Sequence, residues 1–240
     1  MRSIELISVH VSYAAEAHNA FSLSINLKII GAALKSPLIM GTDLRALDSQ
    51  ALSILNNPAV IAINQDPLGS PAARRWALPV PGGNEREEFQ LWSGKLTSTT
   101  GGLYNDMVVF LINGGNSNAT MKATLVDIFD DLTYSAKKVQ VALNWEVRDL
   151  WAGRMNTETA ASIISGTATS NNNVTSGGEE WYNMTQTSYA QSLAAADTRV
   201  LGIIDDSVLV NEILTTPVEA HGVAMFRLRY TGDFGRRDEL

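Results

Sequence analysis

The side chains in this chain that could do chemistry are mostly carboxylates, and several stand in adjacent pairs: Glu87-Glu88, Asp130-Asp131, Glu179-Glu180 and Asp205-Asp206. Two opposed carboxylates can divide acid, base and nucleophile work between them when they face each other across a substrate. Sequence neighbours do not meet that requirement. In a strand they point to opposite faces, and in a loop they are solvated. Solvated surface charge is the reading that fits all four pairs. Asp43 is different, because it comes just after the apolar run Ser36-Pro-Leu-Ile-Met-Gly41 and so stands at the C-terminal end of a strand. It either contacts a substrate there or pins its loop through Arg45, and it is the candidate substrate-binding residue. The acid pairs give no catalytic assignment.

Other chemistries are thinner still. His10, His18 and His221 are scattered and lack Glu-x-x-His spacing, so no metal site is expected. There is no cysteine, which excludes disulfides, thiolate nucleophiles and Cys-based metal centres. Gly101-Gly102 and Gly114-Gly115 read as hairpin punctuation rather than a phosphate loop. No cofactor is implied. Trp76, Trp92, Trp145, Trp151 and Trp181 offer aromatic faces that either stack on a sugar or pack within and between domains.

The elements that would position these groups change character along the chain. Over residues 1–66 the reading is helical with one strand. Val11 to Leu34 forms a helix capped by Ser12, Pro37 to Gly41 a strand, and Asp48 caps a helix that Asn56, Asn57 and Pro58 stop. Strand, polar loop and helix make a βα unit, of the kind found in parallel sheets and (β/α)₈ barrels, where function sits at the strand's C-terminal end. A lone unit leaves both strand edges open, so this segment is expected to be less stable than the rest of the chain. Met40 and Ile63 are nevertheless expected to be buried against a neighbouring surface.

After Pro67 short β-runs dominate: Phe89–Trp92, Met107–Ile112, Ala119–Ile128, Val139–Trp145 and Val223–Leu228, separated by Gly, Asn, Asp and Ser. Thr157 to Asp197 is polar and reads as irregular. The fold class is therefore mostly β: a C-terminal antiparallel β-sandwich preceded by the last βα unit and flanking helices of a barrel. Residues 1–70, 71–232 and 233–240 are assigned as barrel end, sandwich and tail. At 45% hydrophobic the chain holds a real core, and a net charge of −7 excludes nucleic acid as a partner. No run is long enough to span a membrane, and no membrane partner is expected.

The stretch Lys35-Ser-Pro-Leu-Ile-Met-Gly-Thr-Asp-Leu-Arg45, with Leu52-Ser-Ile-Leu-Asn56 and Val60-Ile-Ala-Ile-Asn-Gln-Asp66 after it, resembles the end of the catalytic barrel of glycoside hydrolase family 27 α-galactosidases. Phe89–Trp92, Phe110–Gly115, Val147–Trp151 and Val218–Leu228 are similar to that family's C-terminal β-domain. Trp181–Thr185 and Ser188–Ala190 resemble its fungal branch. The resemblance implies retaining hydrolysis of terminal α-D-galactosyl groups, with an α-galactoside as the partner molecule. It also implies that the nucleophile and acid/base aspartates lie on barrel strands four and six, upstream of Met1, so that this chain alone is inactive. Before Lys35 the family would read roughly H-F-x-x-W-A-A-L-K. Here Ser22 to Gly31 intervenes, which points to a misplaced exon boundary or a degenerate gene. A carbohydrate-binding or interaction module, and a truncated product without function, are the alternatives.

Asn118, Asn173 and Asn183 are glycosylation candidates, each with Thr two residues on, about as many as chance gives for this Asn, Ser and Thr content. The family implies secretion. No signal peptide is evident at the start of the chain, and the terminal Arg-Asp-Glu-Leu240 resembles an endoplasmic-reticulum retention signal.

Overall fold

The computed structural model describes residues 28, 30–38, 43–130, 132, 134–167, 182, 185–208 and 213–230. Most of the expected helix from Val11, and the end of the expected strand with Met40 and Gly41, lie outside them, and the described start of that strand, Pro37 and Leu38, is not strand. Residues 30–33 are helical, and after a 3₁₀ turn at Leu44–Ala46 come two short helices. Asp48 accepts from the backbone N–H of Ala51 at 2.6 Å and starts α1 (Ser49–Leu55). Asn56, Asn57 and Pro58, expected only to stop a helix, also begin one. Asn57 Oδ1 accepts from Ala59 N and Val60 N, and Pro58 opens α2 (Pro58–Asn64), where its missing N–H is no loss.

The rest is built on β1 (Ala73–Pro79), β2 (Glu88–Leu96), β3 (Asp106–Asn113), β4 (Ala119–Thr124), β5 (Trp145–Asp149), β6 (Ile203–Val208), β7 (Ile213–Val218) and β8 (Val223–Tyr230). Six of them form one sheet in the order β1-β2-β3-β8-β5-β6, while β4 and β7 pair separately, and all pairings are antiparallel. Two helices stand where strand was expected. The end of the Ala119–Ile128 run turns into α3 (Leu125–Ile128), because Thr124 and Asp127 make a reciprocal capping box. Most of Val139–Trp145 is not strand: α4 (Tyr134–Val141) takes its first part and β5 begins only at Trp145. Ala136, Lys137, Lys138 and Gln140 favour helix, and Gln140 O at its end accepts from Trp145 Nε1 at 2.9 Å.

The polar stretch expected to be irregular holds α5 (Thr157–Ile164) and α6 (Tyr189–Ala194), and a further helix, α7 (Thr198–Leu201), comes directly after it. Asn156, Ser188 and Asp197 are their N-caps, so the Asn and Ser content marks helix starts as well as loops.

Two cores flank the large sheet. On one face Met107, Val109 and Leu111 of β3 and Phe226 and Leu228 of β8 meet Met121, Ala123, Leu214 and Val218 of the small sheet. Phe129 and Trp145 join the same core, their ring centroids 5.0 Å apart. On the other face Val108 and Phe110 of β3, Met225 of β8, Leu96 and Leu150 pack on Ala32, Ala33, Ala59, Val60 and Ile63. Burial on both faces explains why Met107 to Ile112 is apolar without alternation, whereas β7 alternates strictly. The barrel-type segment is therefore the second cover of the sheet. Ile63 is fully buried, as expected.

Candidate functional site

Asp43 is the N-cap of the 3₁₀ turn. Its carboxylate accepts from Arg45 N and Nε, both at 3.0 Å, and from Arg45 Nη2 at 2.9 Å. The Arg45 hydrogen bonds hold its carboxyl below the usual range, so it is ionised at neutral pH. The pair is open to solvent, the Asp43 and Arg45 side chains being 52% and 90% exposed. That arrangement fixes the loop and leaves acceptor capacity facing water.

The other acids hold structure together. Each buried or half-buried carboxylate among the described residues is engaged by a donor. Asp48 and Asp127 cap α1 and α3, and Asp149 Oδ1 accepts from Trp151 N at 2.6 Å. Glu87 binds Asn116 Nδ2 at 2.7 Å, and Glu88 binds Gln90 Nε2 at 3.0 Å. Asp197 takes Arg199 Nη2 at 2.7 Å, and Glu146 takes Arg148 Nε at 2.5 Å. Of the neighbouring pairs, Asp130 is exposed and bound by Lys137 at 2.6 Å, and Asp205 is exposed. Asp131, Glu179 and Glu180 lie outside the described residues. Among the described residues these contacts leave no two acids set against one substrate atom.

The most organised polar geometry lies in the seam between the barrel-type segment and the sheet. Asn57 Nδ2 donates to Leu150 O at 3.0 Å, from a fully buried position. At the far end of α2, Asp66 accepts from Thr97 N at 3.1 and 3.0 Å, Thr97 Oγ1 at 3.1 Å and Leu68 N at 3.0 Å. Lys28 and Lys35 donate to the carbonyls of Ile54 and Ile63. Burial lowers Lys28 to about 7. Beneath α2, Arg227 Nη1 meets Asp106 Oδ2 at 3.0 Å with both side chains wholly buried. Burial pushes Asp106 up, against the opposing pull of Arg227 and Thr99.

Sequence reasoning misses these seam residues. A signal for them exists: Arg227 and Arg229 interrupt an apolar strand, and Asp106 opens another.

The remaining candidates resolve one by one. Trp145 is fully buried; Trp92 stacks on Phe110 at 5.8 Å, and Arg154 lies over Trp151 at 5.2 Å. Trp76 packs against the first core, so these four tryptophans are packing residues. Trp181, His10, His18, Asn173 and Asn183 lie outside the described residues. His221 has φ 52° in the turn before β8, and its Nε2 is 3.0 Å from Asn116 Oδ1. Asn118 lies just before β4, its Oδ1 accepting from Ala220 N at 3.0 Å. Among the described residues there is no grouping of acids and histidines able to hold a metal, and no helix long and apolar enough to cross a membrane.

Comparison with known proteins covers both parts. Residues 19–66 match the family described as alpha galactosidase A, and residues 86–177 the alpha galactosidase C-terminal beta sandwich domain. An α-galactosidase of Lachancea cidri is 45% identical over 200 residues, 82% of this chain and 39% of the relative. Alpha-galactosidase 2 of Saccharomyces cerevisiae is 40% identical over the same shares. The structure of an α-galactosidase from Saccharomyces cerevisiae with raffinose superposes with a TM-score of 0.78 at 35% identity, covering 93% of this chain and 45% of that one. Alpha-galactosidase I of Mortierella vinacea gives 0.52 at 29% identity, covering 87% and 35%. The chain thus spans about two-fifths of the length of the curated relatives it matches. In sequence and in fold it belongs with the α-galactosidases of glycoside hydrolase family 27, corresponding to the C-terminal part of the fungal enzymes.

Proposed function

We propose that these 240 residues serve α-galactoside hydrolysis as its C-terminal portion: the closing segment of a catalytic barrel together with the sandwich that braces it. The observation that carries this reading is the buried seam, in which residues matched to the catalytic family are packed against the sandwich by a continuous apolar core. The substrate class comes from the relatives, one of which was solved with raffinose, an α-galactoside. In this reading Asp43 offers its solvent-facing carboxylate lone pairs to a sugar hydroxyl, and its anchoring by Arg45 keeps them aimed. Secretion, with glycosylation at Asn118, fits the same reading.

The chemistry itself requires two opposed carboxylates. The buried and half-buried acids among the described residues are committed to caps, hydrogen bonds and ion pairs, so the 240-residue polypeptide by itself is expected to be inactive. The test is a fusion carrying the upstream barrel of the Lachancea cidri relative joined ahead of Lys35, assayed on nitrophenyl α-galactoside beside the unfused chain. Activity in the fusion alone supports the proposal. A folded fusion without activity overturns it.

A further inference from the structure

Arg227 is wholly buried, and only one of its side-chain nitrogens has a partner: Nη1 donates to Asp106, while Nε and Nη2 have no acceptor. A buried guanidinium with two unfilled nitrogens is a costly arrangement, and such donors in folded proteins almost always find protein or water. Arg227 stands on the face of β8 that looks toward α2, in line with Met225 of the second core. Asp66, just beyond the end of α2, is held beside the same ion pair: Thr97, which donates to it, directly follows Leu96, the strand partner of Asp106. The donors on Asp66 are unevenly spread. Oδ1 takes Leu68 N, Thr97 N and Thr97 Oγ1, whereas Oδ2 takes only Thr97 N at 3.0 Å. A carboxylate oxygen has room for a second donor.

We propose that one buried water joins the two residues, accepting from Arg227 Nε and Nη2 and donating to Asp66 Oδ2. Water fits where an anion does not. An anion would complete Arg227 but would face the carboxylates of both Asp66 and Asp106. Water accepts two bonds and donates two, the two to four polar partners a buried water needs. The bridge makes a polar clasp between the last helix of the barrel-type segment and the last strand of the sandwich.

Crystals of the 240-residue chain soaked in bromide test the site. The expected result is a peak within about 3.2 Å of Arg227 Nε, Arg227 Nη2 and Asp66 Oδ2, without anomalous signal. An anomalous bromide peak there, a direct guanidinium–Asp66 contact, or no density overturns the proposal. In solution, a double-mutant cycle with Asp66→Asn and Arg227→Met is expected to show coupling above about threefold in the unfolding constant. Coupling below that also overturns it. Arg227→Lys replaces the methionine variant should that one fail to fold.

Discussion

Ile63→Ala is the substitution that best asks whether the barrel-type segment and the sandwich are one cooperative body. The Ile63 side chain is wholly shielded from solvent and packs into the second core. Truncation removes three buried carbons, about 2.4 kcal/mol at roughly 0.8 kcal/mol each. The cavity left in the core that Ile63 shares with Val60 and Phe110 adds on the order of 1–2 kcal/mol, for a total of about 3.4–4.4 kcal/mol. At about 2.1 cal/mol/K per residue, a cooperative unit of this length has an unfolding entropy near 0.5 kcal/mol/K, so Tm should fall by about 7–9 °C. Calorimetry and the far-ultraviolet β signal should move together by that amount. Leu228→Ala, in the opposite core, should shift the same single transition. Two wild-type transitions, with the β signal untouched by Ile63→Ala, would refute the argument. The weaker barrel end expected from sequence would then stand.

Other outcomes are expected. The chain, and its Asp43→Asn variant, should show no turnover of nitrophenyl α-galactoside; activity lost only in the variant would make Asp43 catalytic. Gly94→Ala should cost about 1–3 kcal/mol in urea titration, since its Cβ would lie 2.8 Å from Ala72 Cα and 3.0 Å from Ala72 N. Asn57→Ala removes a helix cap and takes the amide donor from Leu150 O, for a loss of roughly 2–3 kcal/mol by the same titration. Lys28 should make stability rise with pH. Below about 7 both folded and unfolded chains hold its proton, and between about 7 and 10.5 only the unfolded chain does. Urea midpoints at pH values near 7 and 9.5 should therefore differ, and Lys28→Met should flatten that difference.

What was legible in the sequence was what depends on local chemistry. Asp48 as a cap needed only its position before an amphipathic run, and β3 and β8 announced themselves by runs of apolar residues. Reading failed where tertiary partners decide. β1, with its arginines and exposed Leu78, is missing from the strands expected from sequence, since it is β2 that supplies its ladder. The Val139–Trp145 run alternates like a strand, yet its first residues go to helix because the turn after them carries Trp145 into the core. Of the candidate site, Asp43 was visible from its place after the apolar run 36–41. The buried ion pair of Asp106 and Arg227 was not, because it joins residues 121 positions apart through sheet register alone.

The position of β8 has a consequence for how the protein is made. This last strand lies between β3 and β5, with Met107 opposite Leu228 on one side and Val147 opposite Leu228 on the other. On the ribosome, about 110 residues must be added after Asn113 before Val223 is made. At roughly 5–20 residues per second, that wait lasts on the order of 6–22 s. Throughout it the nascent sheet exists at most as two fragments, β1-β2-β3 and β5-β6, each showing an unpaired inner edge. Those are the edges on which chains aggregate, so translation through this interval is when the protein most needs a chaperone. A message broken shortly before Val223 would release a polypeptide with five of the sheet's six strands and no means of joining them.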